Sequence, residues 1–131
     1  DKKHGGKVKP LIRFIKAWKF YRDVPIKSFY LEMRVAKYAD GESCIIYDID
    51  VKNILAMLLE NNLSSLQDPM GFSGYIYPCK TEAFKQDAIS KLSTAVSRAV
   101  KARNATIDGN VKEAFDFWNL LYNNKFPDYY L

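Results

Sequence analysis

Three residues of this sequence have types and spacing that suit the binding of a nucleotide. Lys16 stands in KAWK, and Ser28 and Phe29 follow in KSFYLE. A lysine is a flexible point charge that suits a polyphosphate, and a serine at a helix start lies beside free N–H groups that favour a phosphate. An aromatic side chain next to them can stack on a base. The three describe half of a nucleotide pocket; the alternative is that Ser28 caps a helix, Phe29 belongs to the core and Lys16 is solvated.

Residues that could carry catalysis are few. His4 is the only histidine and lies in the Gly-containing segment HGGKVK, which argues against a nucleophile–base pair. Cys44 and Cys79 lie in different segments without metal-ligand spacing, so no zinc site within the chain is expected. Asp48 and Asp50 form the only close acidic pair, but no Gly-Ser loop precedes them. We interpret them as cap and surface residues, and no phosphate-binding loop motif is found.

Composition and charge narrow the class of protein. Hydrophobic residues make up 48% of the 131 residues and aromatic residues 15%, which is typical of one packed globular domain. The sequence contains no run of about 18 uncharged apolar residues, so no transmembrane helix is predicted. It also shows no signal-peptide pattern. Two cysteines that show no disulfide pattern indicate a reducing, cytoplasmic setting. Residues 1–37 hold 11 Lys or Arg against 3 Asp or Glu, so they form either a polyanion site or a solvated basic helix face.

Hydrophobic periodicity predicts an all-α protein, an irregular bundle of about five helices with no confident strand. Residues 1–9 are interpreted as a linker or tail, with a hinge favoured over a phosphate-binding role for HGGKVK, and residues 10–131 as the helical domain. In the second helix Phe29, Met33 and Ala36 are predicted to supply apolar faces, with Leu31 and Val35 as further candidates. Asp48 and Asn110 are predicted to cap the third and fifth helices. The predicted helices span residues 10–21, 26–38, 48–61, 81–106 and 110–123, with a long connecting loop over 64–80.

A longer pattern resembles a known superfamily. LIRFIKAWKFYRDVPIKSFYLEMRVAKYA resembles the start of the helical second domain of the oligoadenylate synthetase and cyclic GMP–AMP synthase superfamily. It is most similar to the bacterial cyclic-oligonucleotide synthases of anti-phage (CBASS) defence. Near the other end, DGNVKEAFDFWNLLYNNKFP resembles that group's closing pattern, a Trp-containing helix that runs into Phe-Pro. The resemblance therefore covers nearly the whole chain, in order and in spacing.

The resemblance implies a two-lobed enzyme, of which this chain is the helical lobe. In that family an N-terminal lobe carries a Gly-Ser loop and acidic residues that hold two Mg²⁺. Lys16 matches the lysine that contacts the nucleoside triphosphate, Ser28 a second phosphate contact, and Phe29 an aromatic residue that stacks on the donor base. Oligoadenylate synthetases usually carry Gln-Tyr where Ser-Phe stands here, which leaves base preference open.

The same resemblance implies partners and limits. The expected partners are a nucleoside triphosphate and the N-terminal catalytic lobe, and no membrane is expected. Nothing in the chain matches the Gly-Ser loop or the metal-binding aspartates, so the chain alone is expected to be inactive and to hold no Mg²⁺. A different class of function is a non-catalytic helical module that binds nucleic acid or protein through its basic first helix. A third, a relative of poly(A) polymerases or CCA-adding enzymes, fits the closing pattern less well.

Overall fold

Five α-helices and one short hairpin make up the regular structure of the part of the chain that the computed structural model describes, residues 2–125 except 69 and 73. The prediction of an all-α irregular bundle is confirmed. A short 3-10 helix (Lys2–His4) leads into the bundle. The elements that follow are α1 (Val8–Tyr21), α2 (Ser28–Asp40), α3 (Tyr47–Glu60), β1 (Leu66–Gln67), β2 (Tyr75–Ile76), α4 (Glu82–Ile107) and α5 (Val111–Leu121).

The first two helices form an antiparallel hairpin. The His4 ring lies 2.6 Å from the carbonyl oxygen of Ala39 near the end of α2, whereas Lys16 reaches Glu32 nearer its start. The turn between them places Asp23 at φ 51 and buries Val24. This turn fixes how the ends of α1 and α2 meet, because Pro25 disfavours a helical conformation at the residue before it.

The long helix α4 packs against both α3 and α5. Its buried side is made of small side chains at helical spacing, which let neighbouring backbones approach closely. Leu92 is the one large member among them. The others are Ala88, Ala95, Ala99, Ala102 and Ala105.

The first helix is also joined to the other end of the described chain. The Tyr122 hydroxyl donates to the carbonyl oxygen of Phe14 at 3.0 Å, and the Asn123 amide donates to that of Tyr21 at 3.1 Å. The Arg22 guanidinium donates to the carbonyl oxygen of Leu120, near the end of α5. These contacts close the bundle between α1 and the segment that follows α5.

Helices α4 and α5 each begin with a side-chain cap of a residue type that favours helix starts. The Thr81 hydroxyl accepts a hydrogen bond from the N–H of Phe84 at 3.0 Å and caps α4. The Asn110 side chain accepts one from the N–H of Glu113 at 3.1 Å and donates to the Glu113 carboxylate at 2.7 Å. The predicted cap of the fifth helix at Asn110 is therefore confirmed.

The start of α3 corrects the interpretation of the acidic pair. Ile46, not Asp48, is the N-cap residue, and Asp48 forms an ion pair of 2.5 Å with Arg103. Asp50 is 4% exposed, so it is not a surface residue. Its carboxylate accepts from the Ile46 N–H at 2.6 Å and from the Tyr38 hydroxyl at 2.5 Å. A carboxylate in the first turn satisfies the helix start from inside the helix, which the spacing alone did not reveal.

The prediction for the buried side of α2 is correct only for Leu31 and Val35. Phe29 is 53% exposed, and Met33 and Ala36 are only partly buried. The buried side contains Tyr30, Leu31, Arg34, Val35 and Ala39. Apolar residues occur all around this helix, and a buried arginine conceals the true face from hydrophobic periodicity. The predicted loop over 64–80 contains an antiparallel pairing, Leu66 with Ile76, that the sequence did not predict.

The segment before α1 is partly packed. His4 is 7% exposed, and the Lys3 ammonium donates to the carbonyl oxygen of Asp40 at 2.6 Å. The helix starts at Val8, two residues before Pro10. A linker role for residues 1–9 stays a prediction. Within the described residues, no helix has both the length and the apolar character needed to cross a bilayer.

Candidate functional site

The α1–α2 hairpin carries the three residues predicted to bind a nucleotide. Lys16, on α1, places its ammonium nitrogen 2.8 Å from Oε1 of Glu32 on α2. The two side chains are 28% and 37% exposed, so the pair lies at the surface. Glu32 follows Ser28 by four residues and therefore shares its helix face. The Lys16 ammonium thus lies about one helical turn from Ser28, or about 6 Å along the helix axis.

Ser28 is the first residue of α2 and not its cap. Lys27 occupies the N-cap position with extended backbone (φ −64, ψ 132), and its side chain makes no capping hydrogen bond. The interpretation of Ser28 as a helix cap is therefore wrong. No side chain caps α2, so the N–H groups of its first turn remain open to a ligand. Such a helix start favours an anion.

Phe29 follows Ser28 and is 53% exposed. Its ring lies outside the core, so the interpretation of Phe29 as a core residue is also wrong. An exposed aromatic ring beside a helix start is available to stack on a planar group. The hairpin thus brings Lys16 and Ser28 to one face, and Phe29 lies one position further along the first turn.

Glu32 belongs to this site, although the sequence analysis did not select it. The signal that identifies it is helical spacing: Glu32 lies four residues after Ser28, in the second turn of α2. Its carboxylate partly neutralises the one lysine predicted to contact phosphate. An incoming phosphate must compete with this carboxylate for Lys16.

A buried hydrogen-bond network holds the start of α2 in place. The Tyr30 hydroxyl donates to the carbonyl oxygen of Ser64 at 2.5 Å, beyond the end of α3. The Arg34 guanidinium donates to the Tyr30 oxygen at 3.0 Å and to the carbonyl oxygen of Ser64 at 2.8 Å. Burial raises the pKa of Tyr30, which keeps the phenol protonated as a donor. Ser28 and Phe29 therefore stand on a fixed helix start.

The two aspartates that follow each other closely in the sequence have partners within the fold. Asp48 pairs with Arg103, and Asp50 accepts from the Tyr38 hydroxyl. In the described part of the chain, no group of three or more His, Cys, Asp or Glu side chains could hold a metal ion.

The chain was also compared with known proteins. No protein-family model matches the sequence, and no curated protein matches it. The geometry of the α1–α2 hairpin is therefore the main structural guide to the function of the protein.

Proposed function

We propose that this chain is the helical, substrate-positioning lobe of a cytoplasmic nucleotidyltransferase that makes cyclic or linear oligonucleotide second messengers from nucleoside triphosphates. The observation that supports it is the contact of Lys16 with Glu32, one helical turn after Ser28, on a helix whose N-cap residue makes no side-chain cap bond. The exposed ring of Phe29 follows on the same turn. The resemblance of the sequence to the oligoadenylate synthetase and cyclic GMP–AMP synthase superfamily gives these residues their proposed roles.

Each residue has one task in this proposal. The Lys16 ammonium binds the triphosphate as a point charge, and the Ser28 hydroxyl with the first-turn N–H groups binds a second phosphate oxygen. The Phe29 ring stacks on the base. The catalytic lobe, which the resemblance places N-terminal to this lobe in the same parent chain, would hold the Mg²⁺ that assists phosphoryl transfer in such enzymes. This lobe contributes by orientation, which lowers the barrier without a catalytic side chain.

The experiment compares single variants in the enzyme that joins this sequence to its catalytic lobe. We expect Lys16→Ala and Ser28→Ala each to raise the nucleotide KM by about tenfold, since a hydrogen bond to a charged group contributes about 1.5–3 kcal/mol. Phe29→Leu should raise KM, and Phe29→Tyr should retain the wild-type value. Lys9→Ala is the matched control, because Lys9 is an exposed lysine at the other end of α1. Unchanged KM in both the Lys16 and Ser28 variants would contradict the proposal.

A second candidate function is a nucleic-acid-binding module. The observation that favours it is the exposure of Lys9 and Arg13, one turn apart on α1. Phosphate contacts of this kind make affinity depend steeply on salt. Titration of the chain with RNA at two salt concentrations distinguishes the two candidate functions. Tight binding with a steep salt slope that Arg13→Gln reduces would favour the module over the nucleotide lobe.

A further inference from the structure

A cavity of about 480 Å³ lies beside the start of α4, apart from the α1–α2 site. Its lining includes neither Lys16, Ser28 nor Phe29. Segment 77–81 runs through it, and the Lys27 N–H donates to the carbonyl oxygen of Pro78 at 2.7 Å, which ties that segment to the start of α2. The starts of α2 and α4 therefore meet in this concave region.

Lysines dominate the charge of this cavity. Lys27, Lys80 and Lys85 line it, and Glu82 is the one carboxylate among its lining residues. In residues 2–125 other than 69 and 73, no ion pair joins any of these lysines to an acidic side chain. Ammonium groups gathered without matching carboxylates create a local positive potential. An anion that enters the cavity relieves this repulsion.

The remaining groups add no negative charge. Cys79 also lines the cavity, and burial raises the pKa of its thiol, so the thiol is neutral at pH 7. The charges of Lys85 and Lys27 lower the pKa of the same thiol, and that of Glu82 raises it. The Thr81 hydroxyl accepts from Phe84, and its own hydrogen remains free to donate.

The rim of the cavity carries an aromatic ring. Tyr77 is 59% exposed and lines the same cavity. Charged donors next to an exposed ring suit a phosphate ester whose organic part is planar. The cavity has the size of a small-molecule site and is concave, whereas a nucleic-acid backbone would follow an extended stripe.

We propose that Lys27, Lys80 and Lys85 form a binding site for the phosphate groups of a small phosphorylated molecule, with Tyr77 beside its organic part. The site does not depend on the proposed nucleotide role of Lys16 and Ser28. It is a place where a second phosphorylated ligand binds this domain.

Titration calorimetry of the 131-residue chain with pyrophosphate, in buffer free of phosphate and sulfate, tests the site. We expect Lys80→Gln and Lys85→Gln each to weaken pyrophosphate binding by about tenfold, and the double variant by more. Lys37→Gln removes the same charge at an exposed position near the end of α2, and we expect it to change affinity by less than about twofold. Circular dichroism of each variant checks that the helices are retained.

Further titrations distinguish which part of the ligand and which part of the protein account for binding. AMP and ATP should bind more tightly than inorganic phosphate and pyrophosphate respectively, and Tyr77→Leu should remove that advantage. Equal losses in the Lys37 and Lys80 variants would show general charge attraction and overturn the site. Loss in Lys16→Ala alone would place the anion on the α1–α2 hairpin and also overturn it. RNA binding that is tighter than ATP binding and is lost in the Lys80 and Lys85 variants would replace the small ligand by nucleic acid.

Discussion

The Lys16–Glu32 ion pair governs how much positive charge the α1–α2 hairpin offers to a ligand. The two side chains are 28% and 37% exposed, so solvent screens the pair and its net contribution to folding is small, at most about 1 kcal/mol. The pair also acts on binding, because a phosphate needs the same ammonium group. Glu32 is thus better placed to tune ligand affinity than to stabilise the fold.

We expect Glu32→Gln to tighten the binding of ATP to the chain by about two- to fivefold, since a competing carboxylate worth up to about 1 kcal/mol is removed. Glu60→Gln, at an exposed position at the end of α3, is the matched control and should leave affinity unchanged. Titration calorimetry at low salt measures both. Weaker binding in Glu32→Gln would mean that the carboxylate holds Lys16 in its binding position.

For individual residues, the sequence predicted part of the candidate site on the α1–α2 hairpin. Lys16, Ser28 and Phe29 were found because lysine, serine and phenylalanine have intrinsic chemistry that suits phosphate and base. Glu32 was missed because its importance depends on which turn of α2 faces α1. The position of Lys80 beside Lys27 was also hidden, since segment 77–81 meets the start of α2 only through the tertiary fold.

Among the elements, α4 depends most on side-chain size. Ala99 and Ala102 are fully buried, where α4 meets its neighbours α3 and α5. Small residues allow the backbones to come close, and interiors of this density do not absorb added volume easily. The Ala-rich face is therefore a packing requirement and not only a consequence of helix propensity.

Ala99→Leu should destabilise the chain by about 1–3 kcal/mol, because the added carbons have no space between α4 and its neighbours. Ala83→Leu in the first turn of the same helix is exposed and makes the same chemical change, and it should alter the free energy of unfolding by less than about 0.5 kcal/mol. Urea unfolding followed by circular dichroism gives both values. Equal stability of the two variants would show that α4 is loosely packed.

The sequence largely predicted where the helices lie, but it did not fully predict which side of α2 faces the core. The caps at Thr81 and Asn110 use local chemistry within four residues, which a sequence displays directly. The buried face of α2 depends on Arg34, which donates to Ser64, 30 residues away and beyond the end of α3, where no local window of sequence reveals it. The hairpin of β1 and β2 is two residues wide on each side, too short for alternation to reveal it.

For the whole molecule, buried phenols link stability to pH. Burial raises the pKa values of Tyr38 and Tyr122 well above their ordinary value near 10, and a hydrogen bond to Asp50 adds to the effect at Tyr38. In the unfolded chain these phenols lose their protons near pH 10. The folded state keeps them, so stability is complete below pH 10 and declines as pH rises above it.

Tyr122→Phe should flatten the decline in stability above pH 10 by about 1.4 kcal/mol per pH unit, since one proton less is retained on folding. At pH 8 the same variant should be slightly less stable than the wild type, through loss of the 3.0 Å bond to Phe14. Tyr75→Phe is the control, because Tyr75 is 58% exposed. Urea unfolding from pH 8 to 11 gives the slopes. Identical slopes for the wild type and Tyr122→Phe would contradict the assignment.

The bonds between α1 and the segment after α5 also constrain the order of events during synthesis. Tyr122 and Phe14 are 108 residues apart in the chain, and Arg22 and Leu120 are 98 apart. A ribosome that adds about 5–20 residues per second needs roughly 5–20 s to cover that separation. Once α2 has been synthesised, the α1–α2 hairpin exists without α5 for the rest of that interval. The nascent hairpin therefore depends on its own contacts until α5 leaves the exit tunnel.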